Sequence, residues 1–125
     1  MPDLGSTCRC NLAPRHIWVI ISDPAKNEDR FVLVNLTTLP ENCVDDVCLL
    51  QNEDYPPFLT QPTTAAYSRH KIGDVKSMEM LLAVGQFHDM PAIPPETLQK
   101  IINGAHETLE LPRVAKSMLP PAQPV

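Results

Sequence analysis

The reading of the fold turns on Arg15-His16-Ile17-Trp18-Val19-Ile20-Ile21-Ser22 and, after a polar break, Arg30-Phe31-Val32-Leu33-Val34-Asn35-Leu36-Thr37. Both runs are dense in β-branched and aromatic residues, which pack well on a pleated surface. The first is apolar at successive positions instead of alternating, and so predicts a strand covered on both faces. The break between them, Asp23-Pro24-Ala25-Lys26-Asn27-Glu28-Asp29, is made of turn formers. The simplest arrangement is an antiparallel hairpin, in which the start of the first strand lies beside the end of the second.

Working outward, residues 1–14 show no clear period and predict a loop or loosely attached arm. Residues 38–46 read as loop and Val47-Cys48-Leu49-Leu50 as a short third strand. A polar, proline-bearing loop over residues 51–61 leads to a short extended segment near residues 65–72. Ser77 is expected to cap a brief helix over residues 78–84, which Gly85 stops. The clearest helix follows, because Leu98, Ile101, Ile102, Ala105 and Leu109 recur at i, i+3, i+4, i+7 and i+11. Pro95 suits its first turn, and Leu111-Pro112 is expected to end it. Residues 112–125 are proline-rich and predict a disordered tail. The fold class is mainly β or α+β: one domain over residues 15–111, a small antiparallel barrel or open sheet carrying a short helix and a C-terminal amphipathic helix.

Composition sets limits on what this domain does. With 43% hydrophobic and 20% charged residues, the 125-residue chain has material for a real core. Fourteen prolines against four glycines favour a β-rich domain with proline-led turns over a helix bundle. The longest apolar run, residues 17–21, is far short of the roughly 20 residues a membrane span needs. No basic-then-apolar leader opens the chain, so a cytoplasmic protein without membrane attachment is expected. A net charge of -5 argues against bulk coating of nucleic acid, though not against a local basic patch that grips a short single strand.

Most chemical motifs are absent. The four glycines are scattered, so no phosphate loop exists, and neither a G-x-S-x-G elbow nor a His-Glu-x-x-His pair is present. Cys8, Cys10, Cys43 and Cys48 fit zinc spacing poorly and read more simply as buried or incidental thiols. No metal or cofactor is therefore expected. What remains is a set of polar residues at strand ends. The hairpin places Arg15 and His16 beside Thr37 and Thr38, and Tyr67, Arg69, His70 and Lys71 lie near the fourth segment. An arginine supplies a fixed cation for phosphate, a histidine a proton shuttle, and threonine hydroxyls an orienting contact. Metal-free RNA cleavage requires that kit, but polar residues at strand ends also serve simply to solvate an edge.

The pattern from Arg15 through Asp23-Pro24 and Asn27 to Phe31-Val32-Leu33-Val34-Asn35-Leu36-Thr37-Thr38 resembles the PemK/MazF-like toxins. So does the later stretch from Gln61-Pro62-Thr63-Thr64-Ala65-Ala66-Tyr67 to Leu81-Leu82-Ala83-Val84-Gly85, with the closing helix. The resemblance implies a small SH3-like barrel, a homodimer, and a type II toxin that cleaves single-stranded RNA without metal and is neutralised by a cognate antitoxin. It puts the family's catalytic arginine on Arg15 and its threonine or serine on Thr37, with His16 as a further acid or base. Substrate contacts would come from Thr38, Tyr67, Arg69, His70 and Lys71. His16 stands where the family has proline, and the short leader implies that the family's first strand is shortened or absent. The alternatives are a non-catalytic protein-binding module on the same barrel and a zinc-stabilised small domain.

Overall fold

Ile17 pairs with Leu36, Val19 with Val34 and Ile20 with Leu33, so the two apolar runs do form an antiparallel hairpin. The computed structural model describes residues 2–12, 15–39 and 47–124. Its strands are β1 (Thr7–Cys10), β2 (Ile17–Ile20), β3 (Arg30–Thr38), β4 (Leu49–Leu50), β5 (Thr63–Asp74) and β6 (Phe87–Met90). The helices are α1 (Val75–Ala83), α2 (Pro95–Glu107) and α3 (Arg113–Lys116). All strands join one antiparallel sheet in the order β4-β5-β3-β2-β1-β6. Among the described residues its ladder does not close: β4 and β6 are its edges, so of the barrel or open sheet expected it is the open sheet that forms.

Both faces of the hairpin are buried, as its unbroken apolar runs require. Ile17, Val19, Val32, Val34 and Leu36 pack on one face with Tyr55, Leu59, Tyr67 and the Ile101, Ile102 and Ala105 stripe of α2. Trp18, Ile20, Phe31 and Leu33 pack on the other face with Cys8 and with Met78 of α1. Burial of this kind contributes about 1.5–3 kcal/mol per large apolar side chain. Where α2 crosses the sheet, the Tyr67 hydroxyl donates to the Ile101 carbonyl at 2.6 Å. Gly104 permits that approach: a Cβ there would collide with the Tyr67 hydroxyl and stand 3.0 Å from the Cβ of Cys48.

Several expectations are corrected. Residues 7–10 are not part of a loose arm. They form β1, in which Cys8 lies opposite Trp18 on one side and Asp89 on the other. Thr-Cys-Arg-Cys is too short and mixed to reveal a strand, and its order comes from two neighbouring strands. The first strand, expected to be shortened or absent, is present as a strand of four residues. The helix near residue 78 begins earlier, at Val75, because Asp74 is its cap; the carboxylate accepts from the Ser77 N–H at 2.8 Å and the Ser77 hydroxyl at 2.9 Å. Gly85, at φ +79, turns the chain out of it as expected.

The closing helix ends at Glu107, where Thr108 takes an extended conformation. Leu109 thus lies outside the apolar stripe and is 98% exposed. The tail is not disordered. It contains α3, whose Ala115 is fully buried, and then runs back along α2. Asn103 donates to the Gln123 carbonyl at 2.6 Å and accepts from its N–H at 3.0 Å, while His106 bonds the Pro120 carbonyl at 2.7 Å. Among the described residues no helix is long and apolar enough to cross a membrane.

The cysteines do not converge. Cys8 sits in the cluster on the α1 face and Cys48 in the cluster on the α2 face, so one ion cannot bind both; Cys43 lies outside the described residues.

Candidate functional site

The hairpin register carries Ile17 to Leu36, and so brings the start of β2 to the end of β3. A pocket of about 190 Å³ opens there. Arg15 and His16 enter it from the approach to β2, Thr38 from the last position of β3, and Arg9 from β1. Its far wall is the segment between β4 and β5, with Phe58, Thr60 and Gln61, and Thr63 at the start of β5. Arg15 and Arg9 are exposed, and His16 is half-buried. Among the described residues, the lining carries two guanidinium groups and an imidazole and no carboxylate. In a chain of net charge -5, that is a local reversal of sign.

The far wall is held from two directions. Tyr55 exchanges a hydrogen bond of 2.8 Å with Thr7 of β1 and donates to the Pro91 carbonyl. Burial pushes the Tyr55 phenol up, against the hydrogen bond with Thr7 and the nearby Arg9 charge. Its ring meets Phe58 with centroids 5.0 Å apart. At the beginning of the segment, Asp54 forms an ion pair of 2.8 Å with Lys100 of α2. The Asp54 carbonyl also accepts from the Thr97 hydroxyl at 2.5 Å. These contacts keep the wall in place against a helix and a strand.

The expected site residues separate into three groups. Arg15, His16 and Thr38 come together as the hairpin geometry required. Thr37 adjoins them in sequence but does not line the pocket. Side chains alternate along a strand, so Thr37 shares a face with Asn35 and not with Thr38. It is 1% exposed. Tyr67 is buried completely and serves as the contact between β5 and α2, so its placement beside the substrate is corrected.

Arg69, His70 and Lys71 lie farther along β5. The β3–β5 register jumps from Leu33↔Lys71 to Asn35↔Ala66, a bulge in which Tyr67 stays buried while Ser68 and Arg69 are exposed. His70 turns its Nδ1 to the Tyr67 carbonyl at 3.0 Å, and Lys71 lines a different, apolar groove. Arg9 escaped the sequence reading because the strand that aims it was itself invisible there. Thr60 and Gln61 carried no signal beyond loop composition.

No protein-family model matches the sequence, and none of the curated proteins does. Solved structures do match. One is an endoribonuclease in complex with its cognate antitoxin from a mycobacterial species, with TM-score 0.56, 22% identity and coverage of 89% of this chain and 95% of that one. Another is a chain of MazE-MazF (form II) from Deinococcus radiodurans, with TM-score 0.54, 14% identity and coverage of 89% and 97%.

Proposed function

We propose, from the MazF-like toxin fold that this chain has, that it is the toxin of a toxin–antitoxin pair and an endoribonuclease acting on single-stranded RNA. The observation that carries this reading is the pocket itself: Arg9, Arg15 and His16 meet in it, and no carboxylate among the described residues opposes an anion there. A phosphodiester is the anionic group that this combination of cation, proton carrier and hydroxyl suits.

In the proposed reaction, His16 takes the proton from a ribose 2′-hydroxyl that the Thr38 hydroxyl orients. The 2′-oxygen forms a bond to the adjacent phosphorus. Arg15 donates hydrogen bonds to the non-bridging oxygens, where charge accumulates in the phosphorane. The bond from phosphorus to the 5′-oxygen then breaks, and that oxygen takes the proton back from the His16 imidazolium. The products are a 2′,3′-cyclic phosphate and a 5′-hydroxyl, with no water consumed and no metal required.

The decisive experiment is incubation of the purified protein with a long mixed-sequence RNA in EDTA, with Arg15→Ala alongside and fragment ends mapped. Cleavage leaving cyclic phosphate ends, lost in Arg15→Ala at unchanged thermal stability, supports the assignment. Intact RNA with the folded wild-type protein overturns it.

A second reading is favoured by one further observation. A groove of about 350 Å³ on the α1 side of the sheet is lined by Leu12, Phe31, Leu33, Met78, Leu81 and Phe87. A cognate antitoxin segment with apolar anchors fits such a groove, whether or not the chain cleaves RNA. Co-expression with the neighbouring open reading frame tests it: a stable complex weakened by Leu81→Lys supports this seat, and a complex indifferent to that change removes it. The cytoplasm and a homodimer complete the proposal. Light scattering of the purified chain checks the dimer.

A further inference from the structure

The geometry points to Arg9 as a second phosphate-binding residue, which makes the pocket a seat for two successive phosphates of a single strand; this rests on the ribonuclease reading above. Arg9 stands directly opposite Ile17 in the β1–β2 ladder. Arg15 precedes Ile17 by two residues on the approach to β2, where the Cys10 N–H still bonds the His16 carbonyl at 3.2 Å, and both arginines line the same pocket. Diagonal positions across such a pairing lie about 7–8 Å apart at their bases, a span that one nucleotide repeat of an extended strand covers. Cys8 and Cys10 face the α1-side core, so the intervening Arg9 projects to the opposite side, where the pocket opens. Among the described residues, neither Arg9 nor Arg15 is engaged in an ion pair.

The two cations are not equivalent. Arg15 adjoins His16, the proton carrier, whereas Arg9 stands on the neighbouring strand, close enough to the Tyr55 phenol for its charge to act on it. The scissile phosphate therefore belongs to Arg15. Arg9 takes the non-bridging oxygens of the phosphate next to it, whose charge does not change during the reaction. An interaction equal in ground state and transition state contributes to KM and leaves kcat alone.

The test compares wild type, Arg9→Gln, Arg9→Lys and Arg15→Gln as full-length chains. One arm measures binding of a fluorescein-labelled, fully 2′-fluoro single-stranded RNA of mixed sequence across a salt series. The other measures cleavage of the same sequence as ordinary RNA. Arg9→Gln is expected to make the log–log salt slope shallower by about 0.7, the value of one phosphate contact on a single strand. It is also expected to raise KM several-fold at constant kcat, with Arg9→Lys restoring the slope. Arg9 is exposed, so a circular dichroism melt should match wild type.

Unchanged slope and KM in Arg9→Gln, with wild-type cleavage intact, overturns the two-phosphate seat and leaves the ribonuclease reading standing. Loss of kcat at constant KM overturns it equally, because Arg9 would then act on the reacting group. A wild-type protein that binds without cleaving, with the slope still reduced in Arg9→Gln, supports the seat and removes the catalytic reading. A wild-type protein that binds no RNA overturns both.

Discussion

Thr37 donates its hydroxyl hydrogen to Oδ1 of Asn35, 2.7 Å away and two residues back along the same face of β3. Both side chains are buried, at 1% and 2% exposure. A hydroxyl committed in this way is a structural group. The next residue, Thr38, turns to the other face and reaches the pocket beside Arg15 and His16. A shift of one residue along a strand thus separates a core contact from a place in the pocket lining.

Valine at the two positions should separate these roles. Thr37→Val leaves Asn35 without its donor and should cost about 1–3 kcal/mol in urea unfolding. Its cleavage of RNA, measured well below the unfolding transition, should stay near wild type. Thr38→Val should leave stability unchanged and slow cleavage about tenfold, the value of roughly one hydrogen bond in the transition state. The reverse pattern would return the catalytic hydroxyl to Thr37.

Tyr67 and Gly104 should behave as parts of one contact between β5 and α2. Tyr67→Phe removes the bond to the Ile101 carbonyl and should cost about 1 kcal/mol. Gly104→Ala forces a methyl group against Tyr67 and Cys48 and should cost about 1–3 kcal/mol. Combined, they should cost less than their sum, because removing the Tyr67 hydroxyl makes room for the methyl. Strict additivity in a denaturant series would contradict the shared contact.

The Asp54–Lys100 pair gives a defined pH dependence. Burial pushes the Asp54 carboxyl up, but the Lys100 hydrogen bond, the Gln51 N–H and the Lys100 charge outweigh it and hold the group below its usual value. The hydrogen bond to Asp54 raises Lys100. A depressed carboxylate stabilises the fold above its unfolded pKa and loses that contribution as pH falls through the folded one. A raised lysine contributes fully below its unfolded pKa and loses it as pH rises through the folded one. The pair therefore acts across the neutral range and fades at both ends. Lys100 is 43% exposed, so about 0.5 kcal/mol is the expected size. Asp54→Asn should flatten the acid side of the stability profile. It should also loosen the pocket wall, which shows as a higher KM for RNA. An acid limb identical to wild type would remove the pair from this role.

Cys8 should be chemically silent. Burial, then the nearby charge of Asp89 and then Cys10, push its thiol up to about 12. Since the thiolate is the reactive form, iodoacetamide at pH 8 should leave Cys8 unmodified in the native protein and alkylate it on unfolding. Of the three cysteines among the described residues, Cys10, half-buried at the end of β1, should label first. Peptide mapping by mass spectrometry reads both, and early labelling of Cys8 would contradict its placement in the core.

The β2–β3 hairpin and α2 were legible in the amino-acid sequence because each carries its own signal. Unbroken β-branched runs around a turn specify a covered hairpin, and a 3.6-residue stripe specifies a helix with one buried face. That hairpin sufficed to bring Arg15 and His16 to Thr38. Only the tertiary structure decided the rest. β1 and β6 lack a pattern of their own and become strands through the neighbours they pair with, and the tail is ordered by Asn103 and His106, which lie far back in the chain. Arg9 depends on β1 and Tyr67 on the approach of α2, so neither role can be read locally. The choice between Thr37 and Thr38 hangs on which face of β3 meets the core, and that is settled by packing against distant elements.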